Sequence, residues 1–230
     1  MTAALAENAL TIDVISDVVC PWCFIGQKRL DKAIALSPDV EVEVHWRPFQ
    51  LDPTIPREGK DRRRYMLDKF GSEERIRQIH QRVEALGAAE DINFAFDAIK
   101  VAANTLDAHR VIRWAGTAGS DVQGRLVKRL FAMNFEEGRN IGDPAVLIEA
   151  AREAGMDAAV VETLLPTDAD AEAVRSEIAV AQRMGISGVP CFLLEGKYAV
   201  MGAQDTEVLA DAIRRVAAAK ASGELESVGA

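Results

Sequence analysis

The chain has 230 residues, 49 % of them hydrophobic and 27 % charged, an ordinary globular balance that excludes a disordered chain and a disulfide-stapled miniature. Its 27 basic and 36 acidic residues give a net charge of −9, which repels phosphate backbones and argues against a nucleic-acid partner. No apolar run approaches the ~18 residues of a membrane span, and the first ten residues lack the basic start and apolar stretch of a secretory signal, so the expected location is cytoplasmic, with no membrane partner.

Residues 10–16 alternate, with Leu10, Ile12 and Val14 on one face, and predict a strand. A helix follows, opened by Cys20-Pro21-Trp22-Cys23 and closed by Ser37-Pro38; Pro21 falls in the first turn, where its missing N–H costs nothing. Residues 40–49 alternate again, with Val40, Val42, Val44 and Trp46 on one face, and predict a second strand; Trp46 and Phe49 are expected in the core. Pro53, Pro56 and Gly59 then punctuate a loop carrying the basic run Lys60-Asp61-Arg62-Arg63-Arg64, expected to be a solvated face, with an anionic substrate such as glutathione as the alternative use. Helical patterns follow. Ser72 caps a helix ending near Gly87; Ala108, Val111, Ile112 and Ala115 mark another; Val122, Leu126, Leu130 and Met133 mark a third. Asp143-Pro144 launches a fourth, and residues 167–185 form a fifth, ended by Gly185. Strand character returns at residues 191–195 and 198–201, joined at Gly196-Lys197 in a tight hairpin. A last helix starts at Asp205 and fades into a tail, residues 221–230, expected to fray.

The order is therefore strand, helix, strand at the start, two strands and a helix at the end, and a helical block between. Neither terminal piece can hide its own apolar face, so the expected architecture is an α/β fold with one mixed sheet built from both ends and the helices inserted.

Only three cysteines occur, Cys20, Cys23 and Cys191, too few for a disulfide framework. The first two are spaced three apart at a helix start, where the first sulfur lies beside unpaired N–H groups and the positive end of the helix dipole. That makes Cys20 the expected nucleophile. Cys23, one turn on, lies within the Cα separation a disulfide tolerates and serves as the resolving thiol. The rival readings are a zinc half-site and two packed core thiols. Zinc needs four ligands, and Cys191, His45, His80 and His109 supply no second close pair, so no metal site is expected.

The chain resembles the DsbA family of the thioredoxin superfamily, and within it the FrnE-like group. The resemblance is carried by SDVVCPWCFIG from Ser16 to Gly26, WRPFQLDP from Trp46 to Pro53, NTLDAHR from Asn104 to Arg110, Gly188-Val189-Pro190 and Gly202-Ala203-Gln204. It implies a thioredoxin-like fold with an inserted all-helical domain, divided as 1–56 and 167–230 for the two thioredoxin-like parts and 57–166 for the insertion. It further implies a redox-active dithiol and a cis peptide before Pro190, holding the Val189 backbone beside Cys20 for an extended substrate. Pro21, Trp22 and Val189 are the implied substrate contacts. If the insertion caps the dithiol, Asn104 and His109 face it too; a half-buried core histidine is the plainer reading of His109.

Two positions depart from the family pattern. Thioredoxin and DsbA carry a buried acid six places before the first cysteine, where this chain has Val14; Asp17, three places before it, is expected to face solvent. Cys191 follows Pro190 directly and is expected to be a small buried hydrophobe among Val189, Phe192 and Leu194. The leading functional reading is a thiol–disulfide oxidoreductase acting by mixed-disulfide exchange on a thiol- or disulfide-containing protein or small molecule. It needs no cofactor beyond its own redox-active disulfide, with glutathione as a candidate co-substrate. The alternatives are a glutathione-dependent isomerase or transferase related to 2-hydroxychromene-2-carboxylate isomerase, which uses a serine where this chain has Cys20, and a redox-switched holdase-like binding module.

Overall fold

The computed structural model describes residues 9–225. Both the tail beyond residue 225 and nearly all of the segment read for a secretory signal lie outside them. Strand β1 (Leu10–Ser16) leads into helix α1 (Pro21–Ala35) and strand β2 (Val42–Pro48), which pairs parallel to β1 with Leu10 opposite Val42 and Ser16 opposite Pro48. At the other end of the chain, β5 (Cys191–Leu194) and β6 (Tyr198–Met201) form the hairpin, followed by α9 (Thr206–Ala221). Strand β5 lies antiparallel to β1, with Ile12 opposite Leu194, so the two ends of the chain share one sheet in the order β2-β1-β5-β6. Glu195 and Gly196 take positive φ in the hairpin turn.

Alternation divides the sheet into two apolar faces. Leu10, Ile12, Val14, Phe192 and Leu194 join the main core, to which α1 gives Phe24, Ile25 and Leu30 and α9 gives Leu209 and Ile213. Ile15 and Cys191 point the other way and pack with Phe49, Ala181 and Ile186, the alanine belonging to α8 (Ala171–Arg183). Strand β2 is shorter than the alternation suggests. Its start is delayed because the Val40 N–H closes a turn on Ser37 O at 3.0 Å, and it stops at Pro48, which has no N–H to give a ladder.

Between the halves lie α2 (Arg62–Phe70), α3 (Glu73–Ala88), α4 (Leu106–Ala118), α5 (Ser120–Phe135), α6 (Pro144–Ala154) and α7 (Ala158–Leu164). Ser72 and Asp143 cap α3 and α6 as their sequences imply. A two-residue ribbon interrupts the helices, β3 (Lys60–Asp61) against β4 (Val101–Ala102). The basic run does not sit in a loop: Arg62, Arg63 and Arg64 open α2, a position the helix dipole disfavours, and the Asp61 carboxylate accepts from Arg64 N to compensate. Nor does one helix fill residues 167–185. The segment ahead of α8 wraps the Arg110 guanidinium, which donates to Thr167 O and Ala169 O at 2.8 and 2.6 Å, and α8 starts only after Asp170 at φ 59°. The tail is anchored through residue 225, whose leucine is buried.

Two contacts fix the helical block to the sheet. Phe24 of α1 stacks on Phe131 of α5, centroids 5.1 Å apart. On the outer edge of the sheet, the Gln123 side chain of α5 pairs with β2 as a further strand would: its Oε1 accepts from Trp46 N at 2.8 Å and its Nε2 donates to Trp46 O at 3.2 Å.

Candidate active site at the start of helix α1

Beyond β1 the chain turns, Cys20 N bonding Asp17 O at 2.9 Å, and Cys20 becomes the N-cap of α1 with Pro21 behind it. No side chain caps the first turn and no acid lies in it, so the positive end of the helix is left facing the sulfur. Both cysteines are free thiols. Cys20 Sγ lies 3.7 Å from Val189 O, which accepts its weak S–H bond, and the Val189–Pro190 peptide is cis. Cys23 is 1 % exposed. Burial pushes its thiol well above the ordinary range, the neighbouring Cys20 adds to the rise, and the Ser16 hydroxyl and Asp17 backbone N–H oppose it.

Helix α1 approaches Pro190 closely because of Gly26: a Cβ there would stand 3.0 Å from Pro190 Cγ and 3.1 Å from Phe192 Cζ. The loop carrying Val189 is thereby held against the dithiol helix.

Cys20 opens onto a cavity of about 390 Å³. On its near side are Pro21, Trp22 and Val189, three of the residues expected at the substrate; opposite them stand Met66 and Phe70 of α2, Ile79 and Val83 of α3, and Phe96. Helices α2 and α3 stand over the cysteine pair, but Asn104 and His109 do not face it. The Asn104 amide is spent on the chain itself, donating to Ile55 O at 2.6 Å and accepting from Leu106 N at 2.9 Å and Gln50 Nε2 at 3.3 Å. His109 is buried behind the site, donating from Nε2 to Phe49 O at 2.8 Å.

Asp17 does not face solvent. It is 1 % exposed, its Oδ2 accepts from Leu51 N at 2.8 Å, and its Oδ1 stands 3.4 Å from His109 Nε2. The expectation failed because Asp17 follows a strand end, where a carboxylate is ordinarily solvated, and its partner residues lie 34 and 92 positions away. Ser16 was likewise overlooked as a neighbour of Cys23. Of the basic run, Arg63 and Arg64 are exposed, whereas Arg62 turns into the cavity wall, over the Phe96 ring. His80 stacks on the same ring at 4.2 Å, and burial, then Arg62, hold its pKa below the ordinary value.

Cys191 is fully buried and desolvation raises its thiol pKa. Its neighbours are Ile15, Phe49, Ala181 and Ile186, not Phe192 and Leu194, which alternation sends to the opposite face. Among the described residues no three His, Cys, Asp or Glu side chains converge on a metal site, and no helix is long and apolar enough to cross a membrane.

The sequence profile of the DSBA-like thioredoxin domain matches residues 11–214. The chain belongs to that family. This DsbA-like protein is therefore a thiol–disulfide oxidoreductase by class. It is 29 % identical over 218 residues to the uncharacterized protein YwbO of Bacillus subtilis strain 168, covering 88 % of this chain and 94 % of the relative. The crystal structure of a probable DsbA oxidoreductase from Streptomyces coelicolor matches with a TM-score of 0.81 and 32 % identity over 94 % of this chain and 91 % of the other. Two more distant structures share the fold. A 2-hydroxychromene-2-carboxylate isomerase has a TM-score of 0.65 at 18 % identity, covering 92 % of this chain and 98 % of its own. The cytosolic disulfide reductase DsbM of Pseudomonas aeruginosa, solved with GSH, has 0.59 at 21 %, covering 93 % and 100 %.

Proposed function

We propose that this DsbA-like protein exchanges thiols and disulfides through Cys20 and Cys23, with Cys20 as the attacking group. The observation that carries the reading is the placement of the two sulfurs: Cys20 on the wall of a cavity and 3.7 Å from Val189 O, Cys23 one turn further in and 1 % exposed. In the reducing direction the Cys20 thiolate attacks one sulfur of a substrate disulfide, forming a mixed disulfide and expelling one substrate thiolate. Cys23 loses its proton and attacks Cys20, releasing the second substrate thiolate and leaving a Cys20–Cys23 disulfide. Two electrons pass to the substrate. A second thiol couple closes the cycle, and glutathione is the proposed reductant: two molecules give one glutathione disulfide and restore the dithiol. The reverse sequence oxidises a dithiol substrate.

The FrnE-like motifs and the likeness to a cytosolic reductase support a cytoplasmic setting. Pro21, Trp22 and Val189 line the path of the substrate to Cys20. Replacing Cys23 with serine is expected to trap a covalent mixed disulfide on Cys20, because the resolving attack is lost while the nucleophile remains; Cys20→Ser traps nothing. Mass spectrometry decides it, and adducts on Cys23 in the Cys20→Ser variant, or none in either, would overturn the assignment.

A further inference from the structure

The cavity beside Cys20 is walled mostly by apolar side chains, yet two polar side chains on its lining make no hydrogen bond to another described residue. Asn134, in the last turn of α5, is 4 % exposed, lines the cavity and has no hydrogen-bond partner for its amide among the described residues. Thr105, the N-cap of α4, is 3 % exposed and lines the same cavity, but its hydroxyl does not cap its helix. Asp17 Oδ1 is also buried without a hydrogen-bond partner, but it is turned toward His109 Nε2, 3.4 Å away behind the site, and is not offered to a ligand. Adjacent in sequence to Thr105, Asn104 shows what a structural amide looks like here, with both its oxygen and its nitrogen bonded. A polar group that a ligand shuts off from water without pairing it costs about 1–3 kcal/mol, so a ligand that fills the cavity is selected for supplying the partner.

A cavity of about 390 Å³ with apolar walls and a few polar groups is of small-molecule dimensions. A folded protein substrate does not fit within it. The two side chains together offer a hydroxyl that donates or accepts and an amide that does both at once. A secondary amide, with one N–H and one C=O, answers such a set, and an alkyl thiol without amides does not. We propose that Thr105 and Asn134 recognise the amide groups of a small peptide-like thiol, or of its disulfide, whose sulfur is presented to Cys20. The proposal rests on the exchange reading of Cys20 and narrows its substrate from thiols in general to peptide-like ones of low molecular weight.

The test separates binding from exchange. S-methylglutathione carries two amides and a thioether that cannot exchange, and calorimetric titration into the reduced full chain is expected to show one site. Asn134→Leu and Thr105→Val are each expected to weaken that binding about tenfold while melting within a few degrees of the parent. In turnover, the ratio of kcat/KM for glutathione disulfide to that for bis(2-hydroxyethyl) disulfide is expected to fall about tenfold in both variants. If Asn134→Leu does not fold, Thr105→Val carries the test by itself. No binding of S-methylglutathione to the parent at millimolar concentration, or variants that bind it as the parent does, overturns the proposal. So does a loss of turnover equal for both disulfides, which marks a structural role. Failure of the Cys23→Ser trap with S-methylglutathione still bound would instead remove the exchange chemistry and leave the amide site standing.

Discussion

The segments from Ser16 to Gly26 and from Asn104 to Arg110 are equally dense in chemistry and treat their polar groups in opposite ways. In the first, the helix start has no side-chain cap, and Ser16 Oγ and Asp17 Oδ1 are buried without hydrogen-bond partners. In the second, Thr105 apart, the polar side chains are saturated: the buried Arg110 guanidinium donates to Asp107 Oδ1 and to the carbonyls of Leu164, Leu165, Thr167 and Ala169, and Asn104 is bonded through both amide atoms. A saturated polar group holds chain segments together; an unsaturated one beside a free thiol keeps its bonding capacity unspent.

Arg110→Met should have the largest effect, a loss of about 3–5 kcal/mol, because it leaves the Asp107 carboxylate and four carbonyls to find other partners. Denaturant unfolding measures it, and a loss under 1 kcal/mol would erase the contrast between the two segments. Gly26→Ala sharpens the other side. Its Cβ meets Pro190 Cγ at 3.0 Å and Phe192 Cζ at 3.1 Å, so a cost of about 1–3 kcal/mol is expected from overpacking, with slower exchange because the displaced loop carries Val189. Unchanged stability and rate would show that the close approach has no consequence.

The thiols supply a pH test. Burial raises both Cys23 and Cys191 above the ordinary thiol pKa, so above about pH 8.5 the unfolded chain gives up protons that the folded chain retains. Stability of the reduced protein therefore falls as pH rises through and beyond that value. Forming the Cys20–Cys23 disulfide removes the Cys23 part of the slope, and urea melts of both redox forms at pH 7 and pH 9.5 should differ accordingly. The smallest effect belongs to Cys191→Ala, expected to change turnover by less than about twofold, since a buried thiol with a raised pKa is unreactive. In native reduced protein Cys20 is expected to alkylate and Cys191 only after unfolding; fast native labelling of Cys191 would contradict its placement.

Local pattern was enough where the physics is local. Alternation announced β1, two short strand-like runs around Gly196-Lys197 announced the β5–β6 hairpin, Pro21 marked the first turn of α1, and Ser72 and Asp143 gave their helices in advance. The placement of Asp17, Asn104 and His109 depends on partners brought in from distant segments, and no periodicity records those. The Arg110 side chain broke the long helix expected at residues 167–185 from a position more than fifty residues upstream. Helix α7 is only seven residues long, too short for its periodicity to stand out. The cysteine spacing singled out Cys20 as the expected nucleophile; it held no sign that Thr105 and Asn134 line the same cavity.

The pairing of the Gln123 side chain with Trp46 has a bearing on protein quality outside the redox chemistry. An open strand edge is a template for another chain, and β2 is the edge on which the parallel half of the sheet ends. Here a glutamine from the inserted block takes the place of that next strand. Excising the block to make a minimal thioredoxin-like module would uncover β2 and invite edge-to-edge aggregation, whereas β6, at the opposite edge, already lacks a further strand in the sheet. The helical block thus covers a sheet edge as well as forming a wall of the cavity.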